Sequence, residues 1–80
     1  MKDLIGTKNE GYTIIRQGNI AVIGYNAENK TYVVWNYRVS NSSEVSFHWG
    51  RYCNSLRSAL EKYHLKEKGK YSGFYKEEML

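Results

Sequence analysis

The sequence predicts an α+β domain: a four-stranded antiparallel meander followed by one C-terminal helix packed on one face. Three observations carry this. Between residues 12 and 52, four segments rich in β-branched and aromatic residues are separated by short polar or glycine-containing turns. After them, Leu56, Ala59, Leu60 and Tyr63 recur at helical spacing. The 80 residues hold no proline and suffice for one domain with a small core, which antiparallel hairpins under a single helix can build.

Residues 1–11 show no sustained period; Leu4 and Ile5 pack on a sheet edge or begin a helical turn. Tyr12-Thr13-Ile14-Ile15-Arg16 is the first strand, and Gln17-Gly18-Asn19 has turn chemistry. Residues 20–25 (IAVIGY) return as the second strand, and residues 26–30 (NAENK) turn again. The third strand, Thr31 to Ser40, alternates Val33, Trp35, Tyr37 and Val39 with Tyr32, Val34, Asn36 and Arg38. The odd set is the more apolar and is assigned to the core. A polar loop, residues 41–44, leads to the fourth strand, Val45 to Tyr52. Its odd residues Val45, Phe47, Trp49 and Arg51 are assigned inward, and Ser46, His48, Gly50 and Tyr52 outward. Asn54 or Ser55 serves as N-cap of the helix, and Gly69 as its C′ stop. The tail, residues 71–80, is either a docked aromatic clip or frayed.

One helix covers a width of about 10–12 Å and strands stand about 4.8 Å apart, so it shields two or three of four strands. The other sheet face is expected to be partly open, with Tyr32, Asn36, Arg38, His48 and Tyr52 upon it. The alternative is that this face only meets water, or packs on residues 1–11 or 71–80. A one-residue slip in register reverses every face assignment.

Composition favours a binder over an enzyme. Eight of the twelve aromatic residues are tyrosines, more rings and hydroxyls than so small a core can bury and satisfy. Exposed Tyr and Trp suit interfaces, although Tyr also simply suits strands. The net charge of +4 favours polyanionic partners and disfavours an acidic DNA mimic. Arg16, Arg38, Arg51 and Arg57 are available to phosphates, and Tyr32, Tyr52 and His48 to bases or sugars. Aromatic and basic residues on a sheet equally describe a protein-docking face.

Chemistry has few carriers. The single cysteine, Cys53, excludes an intrachain disulfide and reads as a small buried thiol. His48 and His64 with Cys53 match no zinc spacing, so neither a metal nor another cofactor is expected. The glutamates fall at turns, on solvated helix positions or in the tail, and no glycine-rich phosphate loop is present. No apolar run approaches a membrane span and no leader pattern is seen, so a cytoplasmic setting is expected.

Two resemblances follow from particular residues. The run EGYTIIRQGNIAVIGYN, then YVVWNY, then FHWGRY followed by SLRSALEKY resembles small accessory proteins of phages, plasmids and conjugative elements of Gram-positive bacteria. Genes in that setting often encode counter-defence factors, including anti-restriction and anti-CRISPR proteins. The resemblance implies a non-enzymatic inhibitor in the bacterial host cytoplasm. It would dock on an immune nuclease, such as a CRISPR effector or its guide-RNA complex, and block nucleic-acid loading. Residues 31–65, a strand with Trp, a loop, then Trp-Gly-x-Tyr before an Ala/Leu helix, resemble the three-stranded-sheet-plus-helix DNA-binding domain of plant ethylene-response factors. That likeness implies duplex DNA as the alternative partner, with Arg38, Arg51 and Trp35 as readers. It departs from the family in carrying only one Arg on the strand of Trp35. The partner-binding residues expected on the leading reading are Tyr32, Asn36, Arg38, His48, Arg51 and Tyr52. A homodimer through the open face or an unpaired edge strand is compatible with either.

Overall fold

The computed structural model describes residues 2–69. Strands β1 (Lys8–Asn9), β2 (Tyr12–Gln17), β3 (Ala21–Asn26), β4 (Thr31–Val39) and β5 (Val45–Cys53) form one antiparallel sheet in chain order, and helix α1 (Leu56–Glu67) follows. The class is α+β as expected, with five strands rather than four. The additional strand, β1, has only two residues, too few to leave a periodic signal. It joins β2 through Glu10 and Gly11, both at positive φ (53° and 84°), the sign pattern of a type I′ hairpin turn. The tail at residues 71–80 lies outside the described residues.

The sheet is buried on both sides, which corrects the expectation of one covered and one open face. On one side α1 lies over Ala21, Ile23, Val34 and Cys53, which it meets with Ala59 and Tyr63. The other side holds a second cluster of Leu4, Tyr12, Ile14, Val22, Val33 and Trp35, flanked by Tyr37, Val45 and Phe47. Two features close it. Leu4 folds across from the N-terminal segment, its amide donating to Gln17 Oε1. The sheet also curls toward this side. β2 and β5 stand three strand spacings apart, about 14 Å in a flat sheet, yet the Tyr12 and Tyr52 rings lie 6.0 Å apart.

The faces of β4 are therefore reversed relative to the helix. The odd set, Val33, Trp35 and Tyr37, does enter a core, but the one opposite α1. The even residue Val34 packs under the helix, and Asn36 is buried at 6% exposure instead of lying on an open surface. Alternation places side chains on two faces without saying which face the helix takes.

Helix α1 starts where the sequence places it. Ser55 is the N-cap, its hydroxyl accepting from the Ser58 amide at 3.1 Å. Gly69 follows the Lys68 C-cap at φ 84°. Its inward face is rotated from the expected one: Ala59, Tyr63 and Lys66 are buried, Leu60 is half-buried, and Leu56 is exposed. Glu67 is not a solvated helix residue. Its carboxylate accepts from the backbone amides of Asn19, Ile20 and Ala21 at 2.7 to 3.0 Å, tying the end of α1 to the β2–β3 turn. Arg16 lies over the Tyr63 ring at 5.2 Å and tightens the same corner.

Candidate functional site

The sheet has two register shifts, one at Ile15 of β2 and one in the middle of β5. Between the pairs Val34↔Arg51 and Asn36↔His48, β4 advances two residues and β5 three. The extra residue makes a β-bulge at Trp49-Gly50, opposite Trp35. Trp49 takes φ 55°, a left-handed conformation that costs a bulky L-residue on the order of 1–3 kcal/mol. Gly50 is required by close approach: a Cβ there would stand 2.9 Å from Trp35 Nε1 and 3.1 Å from its Cδ1. The buried Trp35 indole and the bulge thus fit only with glycine between them.

Trp49 itself is 53% exposed. A strained backbone that presents a large apolar ring to solvent needs a restraint, and α1 supplies one. Lys66, 1% exposed, extends from the helix to donate to Trp49 O at 3.0 Å and to Asn36 Oδ1. Both acceptors are neutral. Burial, followed by the neighbouring Arg51 guanidinium, lowers the Lys66 pKa from 10.5 to about 8, so the ammonium still prevails at neutral pH. A buried cation held on two neutral oxygens is an expensive arrangement. What it holds is the carbonyl of the bulge residue.

The bulge also re-sorts the residues singled out in the sequence. His48 pairs with Asn36 and Arg51 with Val34, so both share the helix side with Asn36 and Arg38. This corrects the outward-inward assignment of β5, because the inserted residue changes the parity of everything after it. Arg38 and Arg51 are exposed, as is His48, whose Nε2 lies 3.0 Å from Ser46 Oγ. Tyr52 is 59% exposed but pairs with Val33, on the opposite side of the sheet. Tyr32, half-buried, stands at the far end of β4, its ring 4.7 Å from that of Tyr25. Arg38, His48 and Arg51 therefore lie on one side of the sheet, with Arg38 about 13 Å along β4 from Val34, the partner of Arg51. Asn36 lies beneath the bulge as its internal support, and Tyr32 lies away. Trp35, a reader on the duplex-DNA resemblance, is 4% exposed and on the other side of the sheet from both arginines.

Sequence reasoning missed Trp49 and Lys66. Alternation assigns Trp49 inward, yet the Trp-Gly step inside a strand is itself a signal of a bulge. Lys66 follows Ala59 and Tyr63 on one helical stripe and could have been read as a buried lysine. Cys53, buried as expected, pairs with Tyr32, about 13 Å along the strand from His48 opposite Asn36. Among the described residues no cluster of three His, Cys, Asp or Glu side chains could hold a metal ion, and no helix is long and apolar enough to cross a membrane. Comparison with family models, with curated proteins and with solved structures returns no match to this chain.

Proposed function

We propose that this chain is a non-enzymatic binding protein that docks through the Trp49 edge of its sheet on a bacterial immune nuclease, or on that nuclease's guide-RNA complex, and blocks nucleic-acid loading. The observation that carries the docking surface is the exposed Trp49, held at positive φ and clamped by the buried Lys66. Trp and Arg are the commonest anchors of binding energy at interfaces, and strained residues cluster where binding requires a fixed presentation. The nature of the partner rests on the resemblance in layout to counter-defence proteins of mobile elements.

The duplex-DNA alternative calls for Trp35, Arg38 and Arg51 at one surface. Trp35 is buried away from the two arginines, so the geometry supports the docking reading better. The test is a panel of purified RNA-guided nucleases assayed for cleavage with the protein added before or after nucleic-acid loading. Inhibition of at least one, only when the protein is added first, is expected. Full cleavage throughout the panel would refute the proposal.

A further inference from the structure

Resting on the reading of the β5 edge as the docking surface, we infer that what docks there is an extended segment of the partner, added to β5 as a sixth strand, with an oxygen-bearing side chain that accepts from the buried indole of Trp35. The backbone of β5 is open to such a strand. Consecutive residues of a strand turn their N–H and C=O groups to opposite edges. The Tyr37 amide donates to Ile20 O, so the Tyr37 backbone faces β3, as do those of Trp35 and Val33 by alternation along β4. On β5, Phe47 stands opposite Tyr37 and Tyr52 opposite Val33. Both therefore direct their own N–H and C=O groups away from β4, to the outer edge, and so does Val45 opposite Val39. β5 ends the strand order and has nine residues without Pro, Lys, Asp or Glu, whereas β1 at the other edge has two residues.

A second observation, independent of the open edge, comes from Trp35. Its indole spans the sheet from β3 to β5: a Cβ on Gly24 would stand 3.3 Å from Cζ3, and one on Gly50 2.9 Å from Nε1. Trp35 is buried, yet among the described residues its N–H meets no hydrogen-bond acceptor; its ring contacts there are with Tyr12 and Phe47. A buried donor without an acceptor is costly and uncommon. The β5 residue beside this N–H is Gly50, which has no side chain to offer. A strand paired outside β5 places the side chain opposite Gly50 on the same side of the sheet, across the glycine from Nε1. An Asn or Asp in that position supplies the acceptor. A second copy of this chain fits less well. On the Gly50 side of β5 the only side-chain oxygen is that of Tyr52. An antiparallel register that sets Tyr52 of one copy opposite Gly50 of the other overlaps residues 49–53 alone and leaves Val45 and Phe47 unpaired.

The experiment follows the amide and indole NMR signals and the hydrogen exchange of the full chain on adding a probe peptide. The probe is a short extended sequence of Val and Ala, flanked by lysines for solubility, with one central Asn; its counterpart has Ala in place of the Asn. At millimolar concentration the Asn peptide is expected to shift and protect the amides of Phe47 and Tyr52 and the indole N–H of Trp35. The Ala peptide is expected to bind about threefold or more weakly, the loss of one hydrogen bond, and to leave the indole signal in place. This comparison uses the wild type alone and so is independent of any variant's folding. Tyr52→Pro removes one outward donor without touching the β4–β5 ladder. It is expected to weaken peptide binding about threefold or more beyond Tyr52→Ala, which removes the ring and keeps the amide. Absence of protection at Phe47 and Tyr52, equal binding of the two peptides, or self-association in sedimentation that Tyr52→Pro abolishes would each overturn the inference. Nuclease inhibition kept by Tyr52→Pro and lost by Trp49→Gly would also overturn it, while upholding docking at Trp49. Peptide binding without inhibition of any nuclease would uphold the added strand and refute the nuclease as its source.

Discussion

Raising the pH through 8 should stabilise this fold and, at the same time, loosen its docking edge. Lys66 is the reason. Its folded-state pKa is lowered from 10.5 to about 8, burial being the larger cause and Arg51 the smaller. Between those two values the unfolded chain holds a proton that the folded chain has released, so stability rises with pH. Below pH 8 both states are charged at this position and the cost of burying the ammonium is fully present. A lowering of that size corresponds to as much as about 3 kcal/mol, recovered at up to about 1.4 kcal/mol per pH unit. Urea denaturation of the wild type and of Lys66→Met, in steps between neutral pH and pH 10, isolates the effect. Contributions common to both proteins cancel in the difference. The wild type should gain on the variant progressively above pH 8. A difference in stability that stays constant over this range would refute the placement of Lys66 as a buried ammonium. The binding readout should move the opposite way. A neutral amine donates a weaker hydrogen bond to Trp49 O than an ammonium does, so Trp49-dependent affinity should decline as stability increases.

Three further predictions follow from the same geometry. Trp49→Gly removes the left-handed strain of a bulky residue and should raise stability by about 1 kcal/mol while weakening binding, a pairing read from urea midpoints and a binding titration. Gly50→Ala drives a methyl group onto the Trp35 indole and should cost about 1–3 kcal/mol, with a change in tryptophan fluorescence that reports the displaced ring. Glu67→Ala leaves the amides of Asn19, Ile20 and Ala21 without their acceptor; a loss of about 1–3 kcal/mol is expected, and faster hydrogen exchange at those three amides checks it.

Much of this architecture was legible from the residues, and what was not has identifiable causes. The four longer strands, the Ser55 cap and the Gly69 stop follow from alternation, β-branching and capping chemistry. The two-sided burial was written in the continuous runs Ala21-Val22-Ile23 and Val33-Val34-Trp35, which suit strands covered on both faces better than strands open on one. Reading only the alternation within Thr31–Val39 concealed this. The choice of helix face was not available, because period two separates two sets of side chains without ranking two apolar ones. The bulge was the decisive omission. One inserted residue at Trp49-Gly50 moves Arg51 to the helix side and Tyr52 to the other, so the six residues expected at one surface divide into several environments. Arg38, His48 and Arg51 share the helix side of the sheet, and Asn36 is an internal acceptor for Lys66. The last of these depends on a contact thirty residues apart in sequence, between a helix and a strand, which no local pattern encodes.

On the docking reading proposed above, the strain at Trp49, the glycine after it and the lysine on its carbonyl serve one purpose: an aromatic anchor on a fixed backbone at the sheet edge. Protein stability is sacrificed twice at this place, once in a left-handed tryptophan and once in a buried ammonium. Such concessions are expected where function, not folding, selects the residue. The most direct measurement of that claim is nuclease inhibition by Trp49→Gly beside the wild type, at matched concentrations and with the fold of both verified by urea denaturation. The account predicts that the glycine variant is at least as stable as the wild type and fails to inhibit. A stable variant that inhibits as well as the wild type would contradict it.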